Sequence, residues 1–330
     1  MKKKIQIIYC LLIKLHAIPL VLLTLVTANC QEKVPQSTLP SIEYTVTTEI
    51  NYAGNKDMAQ TMDIYVPLHR KSEKLPVIVT IFGAKTGLWG KGDKMWGGDS
   101  PFLSYLLDGN YACVKINYRL STEAQWPAQL YDCKAAIRWI KANADRFGFD
   151  KDKIAVEGEL SGGHLALMLA LTSNDKSLEG DVGNYLNENS KINCIVSGFA
   201  PTNLEELGGK EVETLLGGTV DKLKKEASEA SPINWVTNAT QFPIYLYQGD
   251  AEEKVPMAQT DLLYNALKEA QFKDIYYQKI TNGSKRNLQF DPKVSKSVSS
   301  AIEDFYKKHL LKQDIQIEVS ELSVTPQQKK

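Results

Sequence analysis

Few residues in this chain could do chemistry, and one short segment gathers the most suggestive of them. Gly158-Glu159-Leu160-Ser161-Gly162-Gly163 stands between a strand-like run, Lys153–Glu157, and a helical run, Ser161–Leu171. Glycines around such a turn let strand and helix approach closely. A serine held there can attack an acyl carbon if a base takes its proton and an acid orients the base. The base would be a histidine, and outside the first 29 residues only His69, His164 and His309 occur. Acids follow a later strand-like run, at Asp250, Glu252 and Glu253. No C-x-x-C and no Cys/His cluster has ligand spacing, so neither a metal nor a cofactor is expected.

Composition narrows the class. The 330 residues are 43% hydrophobic and 24% charged, which is ordinary globular usage and not that of a disordered or disulfide-scaffold chain. Lys+Arg and Asp+Glu are both 39. Residues 1–29 carry Lys2, Lys3, Lys4 and Lys14 and no acid, so the remainder has 35 bases against 39 acids, a net charge of −4. A mildly acidic body gives no reason to expect a nucleic-acid partner.

Residues 1–29 read as a signal peptide. A basic start leads to the apolar stretch Ala17–Val26, shorter than the roughly 20 residues of a bilayer span. Two processing routes fit. Val26-Thr27-Ala28 suits ordinary signal peptidase; Val26-Thr27-Ala28-Asn29 also loosely resembles the lipobox of bacterial lipoproteins, with Cys30 as the lipidated residue. The second is preferred. The expected location is therefore the bacterial cell envelope, either periplasmic or lipid-anchored at Cys30. Cys113, Cys133 and Cys194 lie in apolar or helical runs and read as buried thiols.

Residues 30–41 are polar with two prolines and suit a tether. Strand patterns follow at Ile42–Tyr52, Thr61–Val66, Pro76–Phe82, Tyr111–Tyr118, Lys153–Glu157, Asn193–Phe199, Pro243–Gln248 and Asp274–Ile280. Helical patterns occupy residues 100–108, Gln129–Phe147, Ser161–Leu171, Ala258–Ala270 and Val298–Leu311, and 203–237 reads as a polar, helix-rich excursion. Strands alternating with helices imply a mostly parallel sheet covered on both faces, with an antiparallel start where two strands lack an intervening helix. The 313–330 tail alternates at Ile315, Ile317 and Val319; of an edge strand or a loose tail, the second is expected.

Specific motifs now add to that order. They are Asn117-Tyr118-Arg119-Leu120, Trp126-Pro127-Ala128-Gln129, Asp132-Cys133-Lys134-Ala135-Ala136-Ile137-Arg138-Trp139, Gly162-Gly163-His164-Leu165, Ala200-Pro201-Thr202-Asn203-Leu204 and Gly249-Asp250-Ala251. Over about residues 42–311 the chain resembles the esterase/lipase branch of the α/β-hydrolases, in particular the BD-FAE-like members with feruloyl-esterase and acetyl-hydrolase activities. The resemblance implies a three-layer α/β sandwich over residues 42–312 and a carboxylic-ester hydrolase.

The implied machinery fails residue by residue. In the family's G-x-S-x-G-G, the glycines Gly158, Gly162 and Gly163 put Leu160 at the nucleophile, and leucine has no nucleophilic atom. Ser161 falls one place later, where the family uses a backbone N–H for the oxyanion. The family histidine position falls near Lys285, which is protonated at neutral pH unless its pKa is strongly lowered. Glu252 matches the acid. The oxyanion loop reads Phe82-Gly83-Ala84, with Phe82 in place of the family's histidine and extra residues after it.

The primary expectation is thus an inactive esterase-fold protein. Its old pocket, near Phe82, Ala84, Trp89, Leu160 and Glu252, would bind a small ester or glycan-type ligand. A Glu252–Lys285 salt bridge would replace the catalytic dyad. The alternative is an active acetyl- or feruloyl-type esterase using Ser161 as nucleophile. A third reading is a partner-binding protein using the 203–237 excursion or the tail, with no partner identified.

Overall fold

The computed structural model describes residues 43–82, 88–89, 105, 108–288 and 291–324. The expectations for the signal peptide, Cys30, the tether, Gly83 and Ala84 lie outside the described residues, as does nearly all of the expected 100–108 helix.

A nine-stranded sheet runs in the order β1-β2-β4-β3-β5-β6-β7-β8-β9. Its strands are β1 (Tyr44–Asn51), β2 (Thr61–Pro67), β3 (Leu75–Ile81), β4 (Ala112–Ile116), β5 (Phe149–Glu159), β6 (Cys194–Gly198), β7 (Ile244–Gly249), β8 (Ile275–Thr281) and β9 (Leu322–Ser323). β1 pairs antiparallel with β2, and β2 with β4. Every other pairing is parallel. This is the mixed, mostly parallel sheet of an α/β-hydrolase. The central strands β3 and β6 are buried along their whole length, as continuous apolar strands covered on both faces must be.

Helices cover the two faces. α1 (Ala128–Ala142), with the short α2 (Ala144–Phe147), lies beside α3 (Ser161–Leu171), and α3 packs on β3, β5 and β6. The single expected helix over Gln129–Phe147 is broken at Asn143, whose side chain donates to the Trp139 carbonyl at 2.9 Å and competes with the backbone ladder. Gly148, at φ 70°, closes α2. The excursion holds α4 (Leu204–Leu207), α5 (Gly209–Leu216) and α6 (Lys224–Glu229). α7 (Met257–Glu269) and α8 (Lys285–Leu288) follow β7 and β8.

The last helix, α9, spans Pro292–His309. It starts six residues before the apolar pattern suggests, because Asp291 caps it and Pro292 takes the first turn. Tyr306 of α9 donates to Glu157 of β5, while Gly158 packs against α3. Successive residues of one strand thus touch helices on opposite faces.

The described part of the tail, to Val324, is tied to the sheet. β9 pairs parallel with the outer edge of β8, through Ile280↔Leu322 and Thr281↔Ser323. Gln278 donates to the Ser320 carbonyl. The edge of β8 offers unpaired backbone groups, and the tail satisfies some of them. His309 is 9% exposed, and its ring centroid lies 4.7 Å from that of Phe305. Cys113, Cys133 and Cys194 are buried. Among the described residues, no helix is long and apolar enough to cross a membrane.

One buried carboxylate fastens the first half of the sheet to α1. Asp132 is fully buried and accepts from the Arg119 guanidinium at 2.7 Å, the Arg119 N–H at 2.9 Å and the Gln60 amide at 2.6 Å. Removing one partner of such a buried pair leaves an uncompensated charge. Asp132→Ala should therefore cost about 3 kcal/mol of stability, read as a lower midpoint of urea unfolding.

Candidate active site

β5 delivers the chain to the carboxyl edge of the sheet, and α3 starts one residue later. Leu160 joins them with φ 52° and ψ −121°, a conformation that costs a non-glycine residue about 1–3 kcal/mol. The surroundings enforce it. A Cβ on Gly158 would collide with the Gly162 carbonyl group and sit 2.8 Å from the Gly163 nitrogen. A Cβ on Gly163 would meet the Ser197 hydroxyl at 2.9 Å and the Gly158 oxygen at 3.0 Å. The Leu160 N–H donates to the Gly198 carbonyl at 2.9 Å, and the Leu160 carbonyl accepts from the His164 N–H at 2.9 Å. The sharp strand-to-helix turn that presents a nucleophile is therefore present, and its apex residue is leucine. The Leu160 side chain is only 8% exposed.

Ser161 opens α3 and is fully buried. Its hydroxyl lies 3.2 Å from the Tyr118 hydroxyl. Burial raises the Tyr118 pKa, so the phenol stays protonated at neutral pH and is no base. His164, one turn further on, is also wholly buried. Its Nδ1 accepts from the Trp89 indole at 3.1 Å, which leaves Nε2 to donate to the Ala230 carbonyl at 2.7 Å. Burial depresses its pKa to about 4. It is a neutral bracket between α3, Trp89 and the excursion.

The acid and histidine positions do converge. Glu252 Oε2 accepts from the backbone N–H of Lys285 at 3.0 Å, and Oε1 from the Lys254 N–H at 3.1 Å. The side-chain ion pair differs from the expected one. Lys285 Nζ sits 3.4 Å from Glu159, not on Glu252, and Glu159 also accepts from the Tyr247 hydroxyl at 2.7 Å. Lys285 is the first residue of α8, so its N–H has no partner within that helix and the Glu252 carboxylate takes it. The ammonium is then left to the carboxylate beside Leu160.

Two expected pocket residues have partners that the sequence did not indicate. Trp89 is fully buried against His164. Phe82 stacks under Lys115, whose Nζ is 5.5 Å from the ring centroid. Lys115 pairs in register with Thr80, and Thr80 donates to Glu157, so this ring belongs to the sheet face opposite α3. Glu157 also accepts from Tyr306 at 2.7 Å, and burial raises its pKa. Tyr247 and Glu157 carry no sign of their roles in the sequence, since a polar residue inside an apolar strand gives no local signal of its partner. Glu159 was visible at the turn; its partners were not. Among the described residues, no group of three or more His, Cys, Asp or Glu could hold a metal ion.

A BD-FAE family model matches residues 62–267. The chain belongs to the BD-FAE family. Similar proteins include Esterase LipC of Mycobacterium tuberculosis (strain ATCC 25618 / H37Rv), 28% identical over 211 residues, covering 62% of this chain and 51% of that protein. Esterase LipQ of the same strain is 27% identical over 246 residues, covering 70% of this chain and 55% of that protein. The chain spans about half the length of these curated relatives. Among solved structures, a truncated form of a carbohydrate esterase from gut microbiota superimposes with a TM-score of 0.71 at 27% identity, over 82% of this chain and 98% of that chain. The bifunctional GH43-CE of Bacteroides eggerthii also gives 0.71, at 28% identity, over 80% of this chain and 35% of that chain. This BD-FAE member shares the fold of those solved structures.

The bracket at His164 has a measurable consequence. Its folded pKa, about 4, lies below the roughly 6.5 of an unfolded histidine. Between these values the unfolded chain binds more protons, so stability is full above pH 6.5 and falls as pH drops towards 4. The loss attributable to this residue is about 3 kcal/mol. His164→Gln should flatten that part of the pH dependence, as read from urea midpoints at pH 7 and pH 4.5.

Proposed function

We propose that this BD-FAE member is a non-hydrolytic esterase-fold protein that binds a small ester or an acylated glycan at the old active site. The observation that carries this reading is Leu160 at the apex of the turn. Serine-type ester cleavage needs a nucleophilic oxygen there, a base beside it and an acid behind the base. The three positions hold leucine, lysine and glutamate. The lysine ammonium is paired with Glu159, and a protonated amine takes no proton from a hydroxyl. Losing one member of such a unit costs several orders of magnitude in rate, and this chain lacks two. What remains is an apolar side chain flanked by an ion pair and the Tyr247 hydroxyl, a combination of apolar surface and few polar groups that suits ligand binding.

The second reading is ester hydrolysis with Ser161 as nucleophile. The relatives support it: those named above are esterases, and one solved neighbour is a carbohydrate esterase. At the level of the family, hydrolysis is the better supported activity. The geometry around Ser161 speaks against it in this chain. The hydroxyl is buried in the first turn of α3 and lies 3.2 Å from the phenol of Tyr118.

We further infer that the chain is exported and is held at the bacterial cell envelope through lipidated Cys30. The basic start, the short apolar stretch and the four residues before Cys30 support this. Metabolic labelling with a fatty-acid analogue, lost in Cys30→Ser, tests it.

A fluorophosphonate probe, run beside short-chain p-nitrophenyl esters with Ser161→Ala as control, separates the two activities. The binding reading expects no adduct and no turnover above the control. Labelling or turnover that vanishes in Ser161→Ala establishes the esterase instead.

A further inference from the structure

The chain enters the sheet at one end, and the turn at Leu160 lies at the other. β1 runs antiparallel to β2, and β2 antiparallel to β4, so β1 starts at the same end as the parallel strands. Its start is pinned there, because the Glu43 carbonyl accepts from the Leu68 N–H at 2.9 Å. The loop after Leu68 then crosses the amino ends of the neighbouring strands. The Lys71 N–H donates to the Gly109 carbonyl at 2.9 Å, three residues before β4. The Arg70 guanidinium lies against Gly148, the residue before β5, where an added Cβ would collide with it. Lys74 pairs with Asp145 at 2.9 Å. Leu160, Glu252 and Lys285 instead follow the carboxyl ends of β5, β7 and β8. The seven residues of β3 between the two ends span about 23 Å.

Cys30 stands thirteen positions before Glu43 in the sequence. A flexible chain of that length has a root-mean-square reach of about 20 Å, and about 45 Å when fully extended. An anchor at Cys30 therefore holds the Glu43 end of the sheet nearer the bilayer. Bringing the Leu160 end down instead would require the tether to be drawn out along the length of the sheet. Leu68, more than half exposed beside Glu43, gives the near end a large apolar side chain that gains by resting among lipid headgroups.

We infer that the anchored protein rests on the bilayer by the end that carries Leu68 and Lys71, and opens its site away from the membrane. The ligand is then a water-borne molecule such as an acylated glycan, and not an ester of the lipids around the anchor. The orientation rests on the lipidation of Cys30 proposed above. The ligand class rests in addition on the binding reading.

Lys71→Cys and Glu253→Cys, at exposed positions of the two ends, each carry a fluorophore; Cys113, Cys133 and Cys194 are buried, and Cys30 is occupied by its lipid. The full lipidated chain, taken from cell membranes, is added to phosphatidylcholine vesicles with and without a nitroxide on the lipid headgroup. Nitroxide quenching is short-ranged, so with ends about 23 Å apart it should be at least about threefold stronger at position 71 than at position 253. Equal quenching at the two positions, strong or absent, overturns the inference, and so does stronger quenching at position 253. Peptide mass at Cys30 keeps the failures apart. A Cys30 without fatty acid removes the anchor and the orientation with it. An acylated Cys30 with the wrong order of quenching removes only the orientation. A failed ligand search leaves the orientation standing.

Discussion

The contact between β5 and α3 is made of backbone against backbone, and the rest of the site depends on it. Gly158 and Gly163 leave no room for a side chain where the strand meets the helix. That closeness forces the intervening residue into a left-handed φ. The cost is local, and the burial of α3 against β3, β5 and β6 outweighs it. In an esterase the strained turn is part of the mechanism, since it lifts an oxygen out of the sheet. Here the same strain is retained around a hydrocarbon. A turn with no chemical task would be free to relax towards ordinary geometry, except that the glycine contact also sets how α3 lies on the sheet. The fold thus preserves the turn for packing, whatever stands at its apex.

The charges around the turn have settled into a different arrangement from that of a catalytic triad. Glu252 still reaches the residue at the histidine position, but it does so through the backbone N–H of Lys285. The Lys285 ammonium goes to Glu159, next to Leu160. These are half-exposed contacts of modest worth individually. On the same face of β5, two residues before Glu159, Glu157 sits among the hydroxyls of Thr80, Tyr105 and Tyr306.

Much of this was legible in the sequence. The alternation of strands and helices implied the sheet, and Ser161–Leu171 is the helix its apolar run suggested. The glycine spacing placed Leu160 at the apex, and the φ found there agrees. What stayed hidden depended on long-range partners. Lys285 and Glu159 are far apart in sequence, so nothing local indicated that they would pair. The tail read as loose because its alternating residues, Ile315 to Val319, are not the ones that pair; the sheet edge is met later, at Leu322. His309 sits in a lysine-rich helix, yet its ring meets Phe305 of the same helix and Tyr276 of β8.

The central claim is that position 160, and not 161, is where this fold presents a nucleophile. The most direct measurement puts the missing groups back. Leu160→Ser combined with Lys285→His is exposed to a fluorophosphonate, and the adduct is located by peptide mass. The account predicts phosphonylation at position 160, with ester turnover rising above that of the unmodified chain. An adduct on Ser161, or none at position 160 in a folded protein, would contradict it.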